Sequence, residues 1–439
     1  MIHAYKLHGK HIVLDIHSGA VHVVDPVAYE AITRFDTFDF SGVEGLRAEI
    51  QALIDQNKLF APEIAVPIKK GEALKALCLH VAHTCNFTCD YCFARAGRYR
   101  GAEALMPFEV GKRALDFLLA NAGAHKHLEV DFFGGEPLMN WQVVKNLVAY
   151  ARAREPETGK RFRFTLTTNG LLLDGEVADF CNREMQNVVL SLDGRRHIHD
   201  KFRRTVNGHG SYDIVVPKLQ AFVKKRGARN YYIRGTFTCA NPDFTRDLYH
   251  MAGLGFHALS MEPVVCDDNS PHALTRSDLD IVLKEYESLA LEMARRQGMA
   301  HEFSFYHFNM DLKRGPCVHK RVAGCGVGTD YLAVTPTGEL YPCHQFAGEE
   351  AFRLGDVWQG IARPALRGEF AACNLYSKAE CRDCWAKYYC AGGCPANAHR
   401  ASGSIHGIYE AGCELFKKRM ECAIWLAAAG AEALAAKVS

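Results

Sequence analysis

The chain has 439 residues, 48% hydrophobic and 23% charged, with a formal net charge of +2. One hydrophobic core rarely fills so long a chain, so several domains are expected. A near-neutral surface without a long basic or acidic run offers no field to gather nucleic acid or an anionic membrane, and neither is expected as a partner.

The first region is residues 1–72. Met1 to Asp15 lacks the apolar core of a secretion signal, which predicts a cytoplasmic protein. Two strand-like runs, His11–Ile16 and Ala20–Val24, are joined by a turn at Ser18-Gly19. Asp25-Pro26 reads as an N-cap with proline in the first helical position. Helices are predicted over Val27–Arg34 and Val43–Gln56, where Leu46, Ile50, Leu53 and Ile54 share a face. A hairpin with helices in this space is a small winged-helix-like module, and it contains no cysteine. His3, His8, His11, His17 and His22 crowd it and are expected at the surface. Pro67 to Gly71 serves as a linker.

Residues 73–305 alternate strand and helix. Strands are predicted at Leu77–His83, Glu129–Phe133, Phe162–Thr167, Val188–Leu192, Tyr231–Thr238 and Leu259–Val265. Helices follow at Phe108–Asn121, Trp141–Ala153, Gly175–Glu184, Tyr212–Lys225, Phe244–Leu254 and Ser277–Gln297. Six successive βα units predict an α/β fold with a parallel sheet, open or closed into a partial barrel, whose ligands gather at the carboxyl ends of the strands.

Residues 306–439 lose that rhythm, and little regular structure is predicted apart from a terminal helix around Ile424–Ala436. Eight of the seventeen cysteines lie between Cys317 and Cys394. In a reducing cytosol, clustered cysteines point to metal ligands or catalytic thiols rather than disulfides, and metal would hold so irregular a segment together.

Cys85, Cys89 and Cys92 are spaced C-x3-C-x2-C directly after the first βα strand. Three thiolates so close can hold three irons of one [4Fe–4S] cubane and leave the fourth iron open. A zinc knuckle with His83 as fourth ligand is the alternative. Further along come Gly134-Gly135-Glu136-Pro137, Thr167-Thr168-Asn169-Gly170 and Ser191-Leu192-Asp193-Gly194, each at the end of a successive strand. With these motifs the middle region resembles the radical S-adenosylmethionine (SAM) superfamily. The resemblance implies a partial (β/α)6 TIM-like barrel, a cluster on Cys85, Cys89 and Cys92, and SAM bound by Phe93, Gly134, Gly135, Glu136, Pro137, Asn169, Ser191, Asp193 and Arg203. Glu136 would hold the methionyl amino group, and Arg203, or its neighbour Arg204, would pair with the carboxylate.

The last region carries Cys325-x12-Gly338-x4-Cys343, then Cys381-x2-Cys384-x5-Cys390-x3-Cys394, then Cys413. This array resembles the SPASM domain of radical SAM peptide-modifying enzymes, which implies two auxiliary [4Fe–4S] clusters and three in all. Cys381, Cys384, Cys390 and Cys413 would bind the distal one. Cys325, Cys343 and Cys394 would bind the proximal one, completed either by Cys317 or by a substrate thiolate. Two structural zinc sites are the alternative. Cys78, Cys181, Cys239, Cys266, Cys373 and Cys422 fit neither array and are expected to pack as small hydrophobes.

The opening Met1-Ile2-His3 to Val23-Val24-Asp25 resembles the start of maturases for six-cysteine SCIFF peptides, where it forms a RiPP recognition element binding the precursor's leader as an added strand. The implied activity is formation of a sulfur-to-carbon thioether in a cysteine-rich precursor peptide, with a reduced flavodoxin or ferredoxin-like protein as electron donor. A sulfatase-type formylglycine-forming maturase, a carbon–carbon peptide crosslinker and a noncatalytic metal-binding peptide adaptor are the competing readings.

Overall fold

The structure, a computed structural model, describes residues 1–63, 73–267, 269–309 and 322–438, with side chains in the last helix described to residue 430. The expected linker at Pro67 to Gly71, the domain border at 72 and Cys317 lie outside these residues.

At the N-terminus, β1 (Ile2–Leu7), β2 (Lys10–Asp15) and β3 (Val21–Val24) form an antiparallel sheet in that order. The turn into β3 is held by Asp15, whose buried carboxylate accepts from Ser18 N and Oγ and from Ala61 N. Helix α1 (Pro26–Thr33) starts as expected, with Asp25 Oδ1 accepting from Val27 N at 2.8 Å and Ala28 N at 2.9 Å. Helix α2 (Glu44–Asp55) buries Ile50 against Val13, Ile32 and Leu59.

Strand β1 was not expected. Its Ile2 and Ala4 pack into this small core, while Tyr5 and Leu7 join the main core behind it. Both faces are covered, which erases the one-sided alternation that marks a surface strand. The histidine expectation also needs correction. His3 stacks on Trp385 with ring centroids 3.7 Å apart and bonds Glu421 at 3.0 Å. His8 reaches Glu287 O and His22 reaches Lys58 O. Of the five, only His8 is exposed.

The middle of the chain forms β4 (Ala76–Ala82), α3 (Phe108–Asn121), β5 (His127–Gly134), α4 (Trp141–Thr158), β6 (Arg161–Thr168), α5 (Gly175–Glu184), β7 (Met185–Ser191), α6 (Arg196–Phe202), α7 (Tyr212–Arg226), β8 (Tyr231–Phe237), α8 (Thr245–Gly253), β9 (Ala258–Pro263) and α9 (Arg276–Arg296). Strands β4 to β9 pair in sequence order, all parallel. Their outward residues, such as Val130, Phe132, Phe164, Leu166 and Leu190, are fully buried under the helices. Each such side chain stabilises the fold by ~1.5–3 kcal/mol. A short strand, β10 (Ser304–Phe305), continues the parallel row beyond β9. Helix α6 has only seven residues, too few for a periodic signal, and was not expected.

The C-terminal third is more regular than expected. Strands β11 (Tyr331–Val334) and β12 (Glu339–Tyr341) form a hairpin, and β11 pairs in parallel with β4. With β13 (Gly355–Asp356) and β14 (Gly360–Ile361) they extend one sheet to eleven strands. Gly338 is the hairpin's turn residue, at φ +86°, where a side chain would strike Trp358. The last helix, Glu410–Val438, begins earlier than expected and packs along α9 and β1. Among the described residues, no helix is long and apolar enough to cross a membrane. Cys78, Cys181, Cys373 and Cys422 are buried as expected, whereas Cys239 and Cys266 are partly exposed.

Candidate functional site

The carboxyl end of β4 runs straight into the three-cysteine loop, and the neighbouring strand end is pressed against it. Gly135 N donates to Ala82 O at 2.8 Å and Glu136 N to Thr84 O at 3.0 Å. A methyl group on Gly134 would strike Ala82 O, and one on Gly135 would strike Thr84 O. The two glycines therefore permit a close approach of two strand ends.

Glu136 turns inward and is fully buried. Its carboxylate accepts from Leu138 N, Thr168 Oγ1 and Asn169 N at 2.8–3.0 Å. Burial pushes its pKa up to about 7 despite those three donors. Asn169 then reaches the cysteine loop, its Nδ2 donating to Asn86 Oδ1 at 2.7 Å and lying 3.8 Å from Cys85 Sγ. Pro137 is buried at the head of the turn that follows Glu136.

The opposite side of the loop is held by the segment after α6. Thr88 N donates to Arg204 O, and Val206 N to Asn86 O. Tyr91 O–H donates to Asp193 Oδ2 at 2.5 Å, Thr236 N donates to Asp193 Oδ1 at 3.0 Å, and Arg203 pairs with Asp193 at 3.0 Å. Asp193 and Arg203 thus meet each other beneath the loop. Ser191 is half-buried at the end of β7, and Phe93 turns its ring toward His344 at 5.7 Å.

The structure gathers the described cysteines of the two motifs into three groups. Burial pushes the Cys85 and Cys89 thiols up to about 12, and the neighbouring Cys92 adds to both. Cys381, Cys384, Cys390 and Cys413 form a second group, with burial taking Cys390 to about 12. Cys325, Cys343 and Cys394 form a third, in which burial pushes the Cys343 and Cys325 thiols upward. Buried thiols such as Cys85, Cys89, Cys343 and Cys390, whose proton affinity burial raises, suit a multiply charged partner that displaces the proton, as iron in a cluster would. Among the described residues, no three His, Cys, Asp or Glu side chains close on a point as the ligands of a single ion do.

At the mouth of the barrel, Arg234, Glu262, Cys394 and Arg400 line a cavity of about 450 Å3. A second cavity of about 200 Å3 lies between Cys390, Cys394 and Cys413. A larger one, about 690 Å3, opens at the amino ends of β8 and β9 beside Lys224 and His257. Parallel barrels work at the carboxyl ends of their strands, which makes the mouth cavity the candidate site.

Sequence reasoning missed Tyr91, Arg234, Glu262 and Arg419. Burial pushes the Glu262 carboxyl up, but Arg419, His307 and Arg234 outweigh it and hold its pKa at about 2. The available signal was position: Arg234 and Glu262 are charged residues inside otherwise apolar strand runs.

Residues 79–236 match the Radical SAM superfamily. The radical SAM cyclopropyl synthase TigE of Paramaledivibacter caminithermalis is 21% identical over 373 residues, covering 80% of this chain and 74% of that protein. A cysteine-type anaerobic sulfatase-maturating enzyme of Clostridium novyi is 22% identical, covering 80% of this chain and 95% of its own. Among solved structures, native anSMEcpe with bound AdoMet superposes with a TM-score of 0.66 at 22% identity, covering 80% of this chain and 96% of that one. Streptococcus suis SuiB bound to S-adenosylmethionine superposes at 0.56 with 15% identity, covering 93% and 97%. The fold is thus the α/β fold of these structures, with residues 79–236 matching the Radical SAM superfamily, and the similar proteins include a radical SAM cyclopropyl synthase and anaerobic sulfatase-maturating enzymes.

Proposed function

With a radical SAM domain over residues 79–236 as the premise, we propose that the chain is a maturase that joins a cysteine sulfur to a carbon within a ribosomally made, cysteine-rich precursor peptide. The observation that carries this reading is the grouping of cysteines: three sets, of which the second and third share a cavity lined by Cys390, Cys394 and Cys413, while Cys394 also lines the mouth cavity. A one-cluster enzyme has no use for the other two.

In this reading residues 1–72 are a recognition element, 73–305 the radical SAM barrel and 306–439 a SPASM domain. Cys85, Cys89 and Cys92 would hold the cluster that binds SAM. Gly134, Gly135, Glu136, Pro137, Asn169, Ser191 and Phe93 would surround SAM, with Asp193 and Arg203 beneath it. Cys381, Cys384, Cys390 and Cys413 would hold one auxiliary cluster. Cys325, Cys343 and Cys394 would hold the other, with Cys317 or the substrate thiolate as its fourth ligand. When bound, these groups supply a 5′-deoxyadenosyl radical that removes hydrogen from a peptide carbon, and a sink for the electron that C–S bond formation releases.

The chain's own part is placement. Tyr91, Asp193 and Arg203 fix the cysteine loop from one side, and Asn169 fixes it from the other. Strand β3 lies at the edge of the N-terminal sheet, paired only on the β2 side among the described residues, so it suits addition of a leader strand. SuiB has also been solved bound to precursor peptide SuiA, which supports a peptide as the class of substrate. An electron donor of flavodoxin or ferredoxin type completes the reading.

Sulfatase-type maturation is the second reading, because relatives of that name span most of this chain. The deciding experiment uses anaerobically reconstituted protein, SAM, a reductant and a cysteine-rich precursor. Iron near twelve per chain, release of 5′-deoxyadenosine, and a peptide that loses two hydrogens together with one alkylatable thiol are expected. Loss of sulfur from the peptide would instead mean formylglycine formation. Loss of hydrogen with every thiol retained would mean a carbon–carbon bond. Zinc in place of iron, with no 5′-deoxyadenosine, would leave only a peptide adaptor.

A further inference from the structure

Strand β8 buries Tyr231, Ile233 and Phe237 against the helices, while Arg234 turns the other way and lines the mouth cavity. The register sets it beside Ser191 on β7 and Ser260 on β9. Ser260 is already bonded to His307 at 3.1 Å. Glu262, a carboxylate that shares Arg234's field, has its oxygens taken by Arg419 at 3.0 Å and His307 at 3.2 Å. Among the described residues the Arg234 side chain makes no hydrogen bond and no ion pair. Across the cavity, Arg400 is only loosely held, 3.4 Å from Gln345 Oε1 and 3.8 Å from an Asp267 carboxylate that is itself 85% exposed.

The cavity therefore presents a guanidinium whose donors are unused, in a place that substrate would cover. Covering an unpaired charge with neutral groups is unfavourable. A carboxylate answers it with two oxygens matched to the fork, whereas a neutral amide offers one acceptor. We propose that Arg234 anchors an aspartate or glutamate side chain of the peptide substrate at the barrel mouth. This rests on the maturase reading in one respect, that the occupant is a peptide.

The test measures binding to reconstituted, SAM-loaded protein by fluorescence anisotropy. The probes are a labelled short peptide of Gly, Cys and Asp, amidated at its C-terminus, and its Asn counterpart. The Asp peptide is expected to bind about tenfold more tightly. That preference disappears in R234Q, is partly kept in R234K, and is unchanged in R400Q. Iron content and thermal stability of R234Q should stay close to wild type, since among the described residues the side chain makes no hydrogen bond or ion pair and Glu262 keeps its direct contacts with Arg419 and His307. Equal binding of the two peptides, no binding of either, or a preference that survives R234Q would each overturn the assignment. So would R234Q weakening SAM binding while leaving the peptide preference intact. Arg234-dependent binding of the acidic peptide without any C–S product would leave the anchor standing and remove the proposed reaction. A thioether formed with equal rates by wild type and R234Q would do the reverse.

Discussion

Replacing Asp193 by asparagine keeps the shape beneath the cysteine loop and removes its charge. Asp193 is fully buried and the Arg203 side chain is 12% exposed, so D193N leaves a guanidinium in a dry site without its counter-charge. Breaking such a pair from one side costs about 3–5 kcal/mol. The amide also cannot serve all three donors, since Tyr91 and Arg203 both address Oδ2 while Thr236 N addresses Oδ1. That mismatch falls within the same penalty, so a total of about 4 kcal/mol is expected. In anaerobic urea unfolding followed by tryptophan fluorescence, the midpoint should fall by more than 1 M at a slope near ~3 kcal/mol per molar. R203M should be destabilised as well. The double variant D193N/R203M should be at least ~2 kcal/mol more stable than the sum of the two losses, because it no longer buries a lone charge. Tyr91 lies between Cys89 and Cys92, so D193N should also retain less iron after gel filtration. A D193N protein within ~1 kcal/mol of wild type, or a strictly additive double variant, would refute the view that this pair braces the loop.

A G135A substitution places a methyl group against Thr84 O and forces apart the two strand ends that carry the site. Iron incorporation and thermal stability should fall together, and normal iron loading would contradict the close-approach role. G348A should loosen the C-terminal third from the cysteine loop, because its methyl group would meet Tyr99 O at a residue with φ +80°; limited proteolysis reads this directly. Glu262 gives a pH signature. Its pKa falls from 4.5 unfolded to about 2 in the fold, so its stabilisation is whole above about pH 5 and is lost as pH falls from 4.5 toward 2, about 3 kcal/mol in full. Unfolding of wild type and E262Q compared at pH 6 and pH 3.5 should show a shallower acid decline in E262Q. H3A removes the stack on Trp385 and the bond to Glu421, and a loss of about 1–2 kcal/mol is expected, visible as a drop of a few degrees in Tm.

The barrel was legible because its strands are short apolar runs with a fully buried outward face and its helices carry one apolar stripe each, two local patterns. The cysteine spacings were legible because thiols at short intervals have few other uses. The rest depended on partners far away in the chain. Nothing near His3 announces Trp385, and nothing near Arg203 announces that it will be paired with Asp193. The β11–β12 hairpin did leave a trace. Thr335-Pro336-Thr337-Gly338 between two apolar runs is a turn signature, and Gly338 had been read only as a spacer within a cysteine pattern. Arg234 and Glu262 were passed over because they occupy inward strand positions, where a charged side chain is either an error in the assignment or a functional group.

The pairing of β4 with β11 has a consequence in time. Strand β4 completes the order of the parallel row on one side as soon as β5 is made, but its other edge waits for a partner about 250 residues further along the chain. Until then an apolar strand that leads into the three-cysteine loop stands with its backbone open. Such an edge invites pairing with a neighbouring chain, and long-range partners close slowly. Iron delivered before translation has passed β11 would meet a half-built sheet, so the natural sequence of events is synthesis to the end, closure of the sheet, and only then loading of the cysteines. A chain cut before β11 should accumulate as aggregate however well its barrel sequence is kept.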